Sequence, residues 1–220
     1  MQLKTYQQAT LDALDGVFSR ALSTGPAKAF DHAVAEQDAQ ARLEGRKTER
    51  RAYQPLAHLP DVPYVCLRLP TGGGKTLLAA ESIRLAARSY LRRPYPLVLW
   101  MVPSDAIKTQ TLEALKDRTH AYRRRLDENF GGHFRVFDIA EFEMLRPQDL
   151  ERSTCIVVST IQAFRVTNTV GRRVYAHHEE LEPHFAGIPT EGMEVVSDEE
   201  AAENDMLRAG AVKFSFANLL

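Results

Sequence analysis

The sequence predicts an α/β fold built on a doubly wound, mainly parallel sheet, and three observations carry that prediction. Leu97-Val98-Leu99-Trp100-Met101-Val102 and Cys155-Ile156-Val157-Val158-Ser159-Thr160 are runs of strand length with little polar alternation. Such runs belong to strands covered on both faces, as parallel strands are. Segments of helical period separate them, and that alternation gives parallel pairing through crossover helices. Finally, Val65-Cys66-Leu67-Arg68-Leu69 enters Pro70-Thr71-Gly72-Gly73-Gly74-Lys75-Thr76, and an amphipathic stretch from Leu77 to Leu91 leaves it. That reads as strand, glycine loop and helix.

Composition bounds what this fold can do. The 220 residues suffice for one large domain or one and a half small ones, and 44% of them are apolar, which supplies a core. A formal net charge of −1 gives no global basic field, so contact with a nucleic acid must come from a local patch. Cys66 and Cys155 both sit in apolar runs and read as buried, reduced thiols of a cytoplasmic protein. No apolar run approaches the length of a membrane span, and Met1-Gln2-Leu3-Lys4 does not open a signal peptide. No membrane partner is expected.

Taken in order, Leu11, Leu14, Val17, Phe18, Ala21 and Leu22 recur at three and four residues, which predicts a helix from Thr5 to about Leu22. Tyr6-Gln7-Gln8 precedes the stripe. Ser23-Thr24-Gly25-Pro26 ends the helix. Residues 27 to about 52 read as a second helix with a basic tail from Arg42 to Arg51, in which Arg46, Lys47, Arg50 and Arg51 are either a solvated face or a phosphate-backbone contact. Pro55, Pro60 and Pro63 make an extended approach to the first strand.

The glycine loop suits a nucleoside triphosphate. Glycine lets consecutive N–H groups turn toward phosphate oxygens, and the helix behind presents its positive end to them. Lys75 would reach the β- and γ-phosphates and the Thr76 hydroxyl would ligate Mg²⁺. One departure from the full phosphate-loop pattern is Leu69, where an early glycine is usual. A glycine-rich turn that binds nothing is the bland alternative.

Arg92-Arg93-Pro94-Tyr95-Pro96 ends the helix and leads to the strand Leu97–Val102. Pro103-Ser104 closes that strand, and Ser104 is a suitable N-cap for a helix to about Asp117 with Ile107, Leu112 and Leu115 inward. Another helix, Thr119 to Asn129, carries Arg123-Arg124-Arg125, read as a solvated face. Phe134–Phe137 is a strand, Glu141 to Leu150 a connection, Cys155–Thr160 the third buried strand and Ile161–Arg165 a short helix. Ligands of such folds bind at the carboxyl ends of strands, so the glycine loop, Pro103-Ser104 and Ser159-Thr160 are expected to share one rim.

Residues 177 to 205 are acidic and poorly periodic, with His177, His178 and His184 among them. Their spacing fails the two-histidine zinc pattern, and the stretch reads as an exposed insertion. An apolar pattern returns from Leu207 to Leu220.

With these residues set out, the chain resembles the first motor lobe of a superfamily 2 helicase or translocase, most closely the restriction subunit of type III restriction-modification enzymes. Residues 69–76 resemble that group's motif I, in which the early glycine is commonly absent. Tyr6-Gln7 resembles its upstream adenine-reading glutamine. Val102-Pro103-Ser104 with Gln110 is similar to motif Ia, and Val158-Ser159-Thr160-Ile161-Gln162-Ala163-Phe164 to motif Ib, both DNA-backbone contacts.

The resemblance implies an incomplete RecA-like lobe in three parts. Residues 1–62 form a helical extension with the adenine-reading element, 63–172 the ATP-binding core, and 173–220 an acidic insertion and apolar tail. ATP would be held by Gln7, Thr71, Gly72, Gly73, Gly74, Lys75 and Thr76, with Mg²⁺ on Thr76. Lys75 and Thr76 would serve hydrolysis. DNA backbone would lie on Pro103, Ser104, Gln110, Ser159 and Thr160. A modification or specificity subunit is the implied protein partner, and endonuclease activity would reside elsewhere. The family's Asp-Glu pair at the end of a buried strand is missing, since Asp198-Glu199 has the letters but follows a short, charged run. A lobe truncated before that pair, binding ATP but hydrolysing it poorly, is therefore expected. The alternatives are a phosphate-loop kinase or a nucleotide-gated interaction module, and a purely structural domain with a vestigial loop.

Overall fold

A computed structural model describes residues 3–45, 47, 52–165, 169 and 172–220. The chain divides into two compact units, residues 1–96 with 124–132, and residues 97–123 with 133–220.

The first unit is helical. Helix α1 (Thr5–Thr24) buries Leu11, Leu14, Val17 and Ala21 of the predicted stripe, with Phe18 half-buried and Leu22 exposed near the helix end. Gly25, at φ 83°, ends it, and Pro26 opens helix α2 (Pro26–Leu43) at a position where its missing N–H costs nothing. Ala29 and Ala33 of α2 pack against Val17 and Ala21, small residues on both sides of a close helix pair. The helix stops at Leu43, where the basic tail begins. Lys47 of the basic tail is exposed, while Arg46, Arg50 and Arg51 lie outside the described residues.

Helix α3 (Lys75–Leu85) continues as a π-helical segment, Ala86–Leu91. Its Leu78 and Leu85 join Leu11 and Leu14 of α1 in one core cluster. The run into the glycine loop differs from expectation. Val65–Leu69 pairs with no strand among the described residues, and it is not covered on both faces. Val65, Leu67 and Leu69 turn inward onto the cluster of α1 and α3, while Cys66 and Arg68 are exposed. The segment is an extended chain laid on helices. Cys66 is accordingly an exposed thiol rather than a buried one.

The second unit holds the sheet. Strands β1 (Leu97–Val102), β2 (Phe134–Asp138) and β3 (Thr154–Thr160) run parallel in the order β1-β3-β2. Helices α4 (Asp105–Lys116), α5 (Ala121–Phe130, which belongs to the first unit from Arg124 onward) and α6 (Pro147–Arg152) connect them. This all-parallel sheet flanked by helices is the predicted fold class. Central β3 is buried at every residue. Strand β1 lies at an edge and is only half-buried, with Met101 50% exposed, so its unbroken apolar run overstates its burial. Ile107 of α4 is also outward, whereas Leu115 is fully buried.

The acidic stretch is exposed over most of residues 186–205, but its first part is not. Leu181, His184 and Phe185 are buried on a 3₁₀ segment, and Leu181 and Phe185, with Val174 and Phe216, join Phe137, Phe142, Leu145, Cys155 and Val157 in one core. Buried Lys213 holds this region by pairing with Glu200 at 2.6 Å and Glu194 at 3.4 Å. Two helices complete it, α7 (Asp198–Glu203) and α8 (Phe216–Leu219). No helix among the described residues is long and apolar enough to cross a membrane.

Candidate nucleotide-binding site

The glycine loop is shaped by contacts within the first unit. The Gly73 N–H donates to the Pro70 carbonyl at 3.0 Å, closing a tight turn. Gly74 sits in the left-handed region, φ 83° and ψ 35°, as the N-cap of α3. The conformation favours glycine, and a Cβ there would displace Nε2 of Gln7. Lys75 and Thr76 then open the helix. No side chain caps that end, so its first N–H groups are left to another acceptor.

Helix α1 grips the loop from the side. Both Nε2 of Gln7, at 2.9 Å, and the Tyr6 hydroxyl, at 3.0 Å, donate to the Gly73 carbonyl. The other end of the Gln7 amide accepts from the Lys4 N–H at 2.9 Å. Gln7 is only 6% exposed. Its amide is therefore engaged at both ends by backbone. The Tyr6 contact is the part that sequence reasoning missed, because a Tyr-Gln dipeptide alone carries little information.

The donor set fits a triphosphate. Lys75 is exposed, and no hydrogen bond or ion pair occupies its ammonium among the described residues. The helix end adds its positive dipole, and the half-buried Thr76 hydroxyl is an oxygen ligand of the kind Mg²⁺ takes beside phosphate oxygens. Thr71 and Gly72 are exposed at the mouth of the loop. No group of three or more His, Cys, Asp or Glu side chains converges as a metal site among the described residues.

The second unit brings the other predicted segments together. Val102 is in register with Thr160, so the carboxyl ends of β1 and β3 are neighbours. Nε2 of Gln162 donates to the Pro103 carbonyl at 3.3 Å, tying the two connections. Ser104 caps α4 by accepting from the Ile107 N–H, and Pro103, Ser104 and Gln110 are exposed. Ser159 is fully buried with its hydroxyl donating to the Thr160 carbonyl, and Thr160 is 9% exposed. The expected common rim with the glycine loop rested on Val65–Leu69 being a strand of this sheet, and it is not one.

Asp198 and Glu199 end no buried strand. They are exposed on the first turn of α7, after a segment whose only ladder contact among the described residues is the isolated antiparallel bridge Val195–Val212. The Arg123-Arg124-Arg125 run is not a plain solvated face either. Arg123 lies over the Phe134 ring, its guanidinium carbon 4.3 Å from the centroid. Arg125 bonds Glu81, which is fully buried on α3 and also touches Arg84 at 3.3 Å and Asn129 at 3.4 Å. This clamp had a signal: Glu81 falls on the same helical face as Leu78 and Leu85, where an apolar residue is due.

The family model described as type III restriction enzyme, res subunit, matches residues 1–200. No curated protein and no solved structure matches the chain. The chain belongs to that res-subunit family.

Proposed function

We propose, from the premise that the chain belongs to the res-subunit family of type III restriction enzymes, that it is the ATP-binding motor lobe of a DNA translocase and holds ATP-Mg²⁺ on its glycine loop. The observation that carries this reading is the uncapped N-terminus of α3 behind Gly74, with the Lys75 ammonium unengaged and the loop gripped by Gln7 and Tyr6. ATP supplies the phosphoryl group. Lys75 and the first N–H groups of α3 offset its negative charge, and the Thr76 hydroxyl presents an oxygen to Mg²⁺. Gln7 is a positioning residue, since its amide is spent on backbone and only a sliver of it reaches solvent.

DNA backbone lies on the exposed connections that follow β1 and β3 in this reading, with Pro103, Ser104, Gln110 and the connection after Thr160 as contacts. Ser159 is fully buried and acts there as a positioning residue, its hydroxyl donating to the Thr160 carbonyl. Turnover by this chain alone is poor. Hydrolysis needs an acidic pair to orient water, and Asp198-Glu199 sits on an exposed helical turn. A modification or specificity subunit is the proposed partner, on the family resemblance.

Titration with a fluorescent ATP analogue in Mg²⁺ tests the reading, beside ATP hydrolysis with and without duplex DNA. Saturable binding is expected, weakened at least about tenfold in Lys75→Ala by loss of a charge-assisted contact. Equal binding by wild type and Lys75→Ala would overturn the site. Brisk DNA-stimulated turnover would overturn the assignment of Asp198-Glu199 as non-catalytic.

A further inference from the structure

The far end of α3 carries an arginine cluster that the nucleotide site does not use. Arg84, Arg88, Arg92 and Arg93, with Tyr95 and Phe130, line an open cleft of about 600 Å³, all within the first unit. Arg84 and Arg88 have carboxylate partners, Glu81 at 3.3 Å and Asp15 at 2.8 Å, and are held in place by them. Arg92 and Arg93 are exposed and have no ion pair among the described residues. The cleft therefore keeps uncompensated positive charge.

The backbone supports a use for that charge. Arg92 ends the π-helical segment at φ 52°, the one non-glycine residue at positive φ among the described residues. Glycine is the usual occupant of such a helix end, because a Cβ is strained there. An arginine at a position that favours glycine points to its side chain, and π-helical turns recur at functional sites. Arg84, Arg88 and Arg92 also repeat every four residues and all line the cleft, so that it carries a row of arginines. A row suits repeating negative charges better than a single anion, and a half-buried tyrosine beside arginines suits sugar and base edges.

We infer that this cleft is a second nucleic-acid site, which takes the phosphate backbone of DNA on Arg92 and Arg93 at the opposite end of α3 from the glycine loop. The inference rests on the DNA reading proposed above. Its role is to hold the track nonspecifically, since it presents charge and no base-reading pair.

The test is fluorescence anisotropy of a labelled duplex on the full chain, across a salt series. The variant is Arg92→Gly with Arg93→Ala, because glycine relieves the strained position and preserves the fold. DNA affinity at low salt is expected to fall several-fold, and the slope of log affinity against log salt to flatten by about 2, one for each lost phosphate contact. Melting temperature and ATP-analogue affinity are expected to stay at wild-type values. A variant with unchanged affinity and slope overturns the inference while leaving the DNA reading intact. Failure of wild type to bind DNA at all overturns both. Loss of inorganic tripolyphosphate or polyglutamate binding with DNA binding intact assigns the cleft to a small anion or an acidic peptide and also overturns the inference.

Discussion

Two apolar runs, each with one cysteine and each leading into a predicted motif, fare differently in this chain. Thr154–Thr160 is hydrogen-bonded on both edges, to β1 and to β2, and every residue is buried. Val65–Leu69 pairs with nothing among the described residues and buries alternate side chains on α1 and α3. The first motif is positioned by the ladder that precedes it. The second, the glycine loop, is positioned from the side by two donors of α1 on one carbonyl. The unit with the sheet is thus organised by strands, and the unit with the glycine loop by helices and polar clamps.

The largest expected effect breaks the comparison at its strong end. Val157→Asp places a charge in fully buried β3 and should cost about 4 kcal/mol or more, enough to abolish folding of the second unit by circular dichroism. Glu81→Ala comes next. It removes the buried carboxylate that Arg125, Arg84 and Asn129 share and should cost about 3 kcal/mol in a denaturant titration. A loss under about 0.5 kcal/mol would mean that the helical unit does not depend on that clamp. Leu67→Asp, on a half-buried face, should cost only about 1–2 kcal/mol. A cost equal to that of Val157→Asp would erase the distinction between the two runs.

The smallest effect is chemical. Burial pushes the Cys155 thiol up to about 12, with Asp149 adding to it, while Cys66 is exposed. Thiol titration near neutral pH should label Cys66 at once and Cys155 only on unfolding. Because the folded thiol is harder to ionise than the unfolded one, its contribution to stability is complete below about pH 9 and is lost as pH rises toward 12.

The sequence made the fold class legible because the sheet is parallel and β3 lies at its centre. There an apolar run and true burial coincide. Burial of β1 and of Val65–Leu69 was misjudged for one reason: an apolar run states what a segment tolerates, whereas an edge or a helix surface decides how much is covered. The acidic stretch misled in the opposite sense. Its charges are the exposed side of a segment whose Leu181 and Phe185 sit in the core, and buried Lys213 gathers Glu194 and Glu200. Of the site, the three glycines, Lys75 and Thr76 could be read directly from spacing. The grip of Tyr6 and Gln7 on Gly73 could not, because it joins residues 66 and 67 apart.

That grip is the central claim, and one measurement tests it most directly. Affinities of wild type and Gln7→Ala are compared for ATP, GTP and inorganic tripolyphosphate, each with Mg²⁺. If Gln7 holds the loop, the variant loses about 1 kcal/mol, about fivefold, for all three alike. A loss confined to ATP would show that Gln7 reads the adenine base, and no loss for any of them would show that the loop keeps its shape without α1.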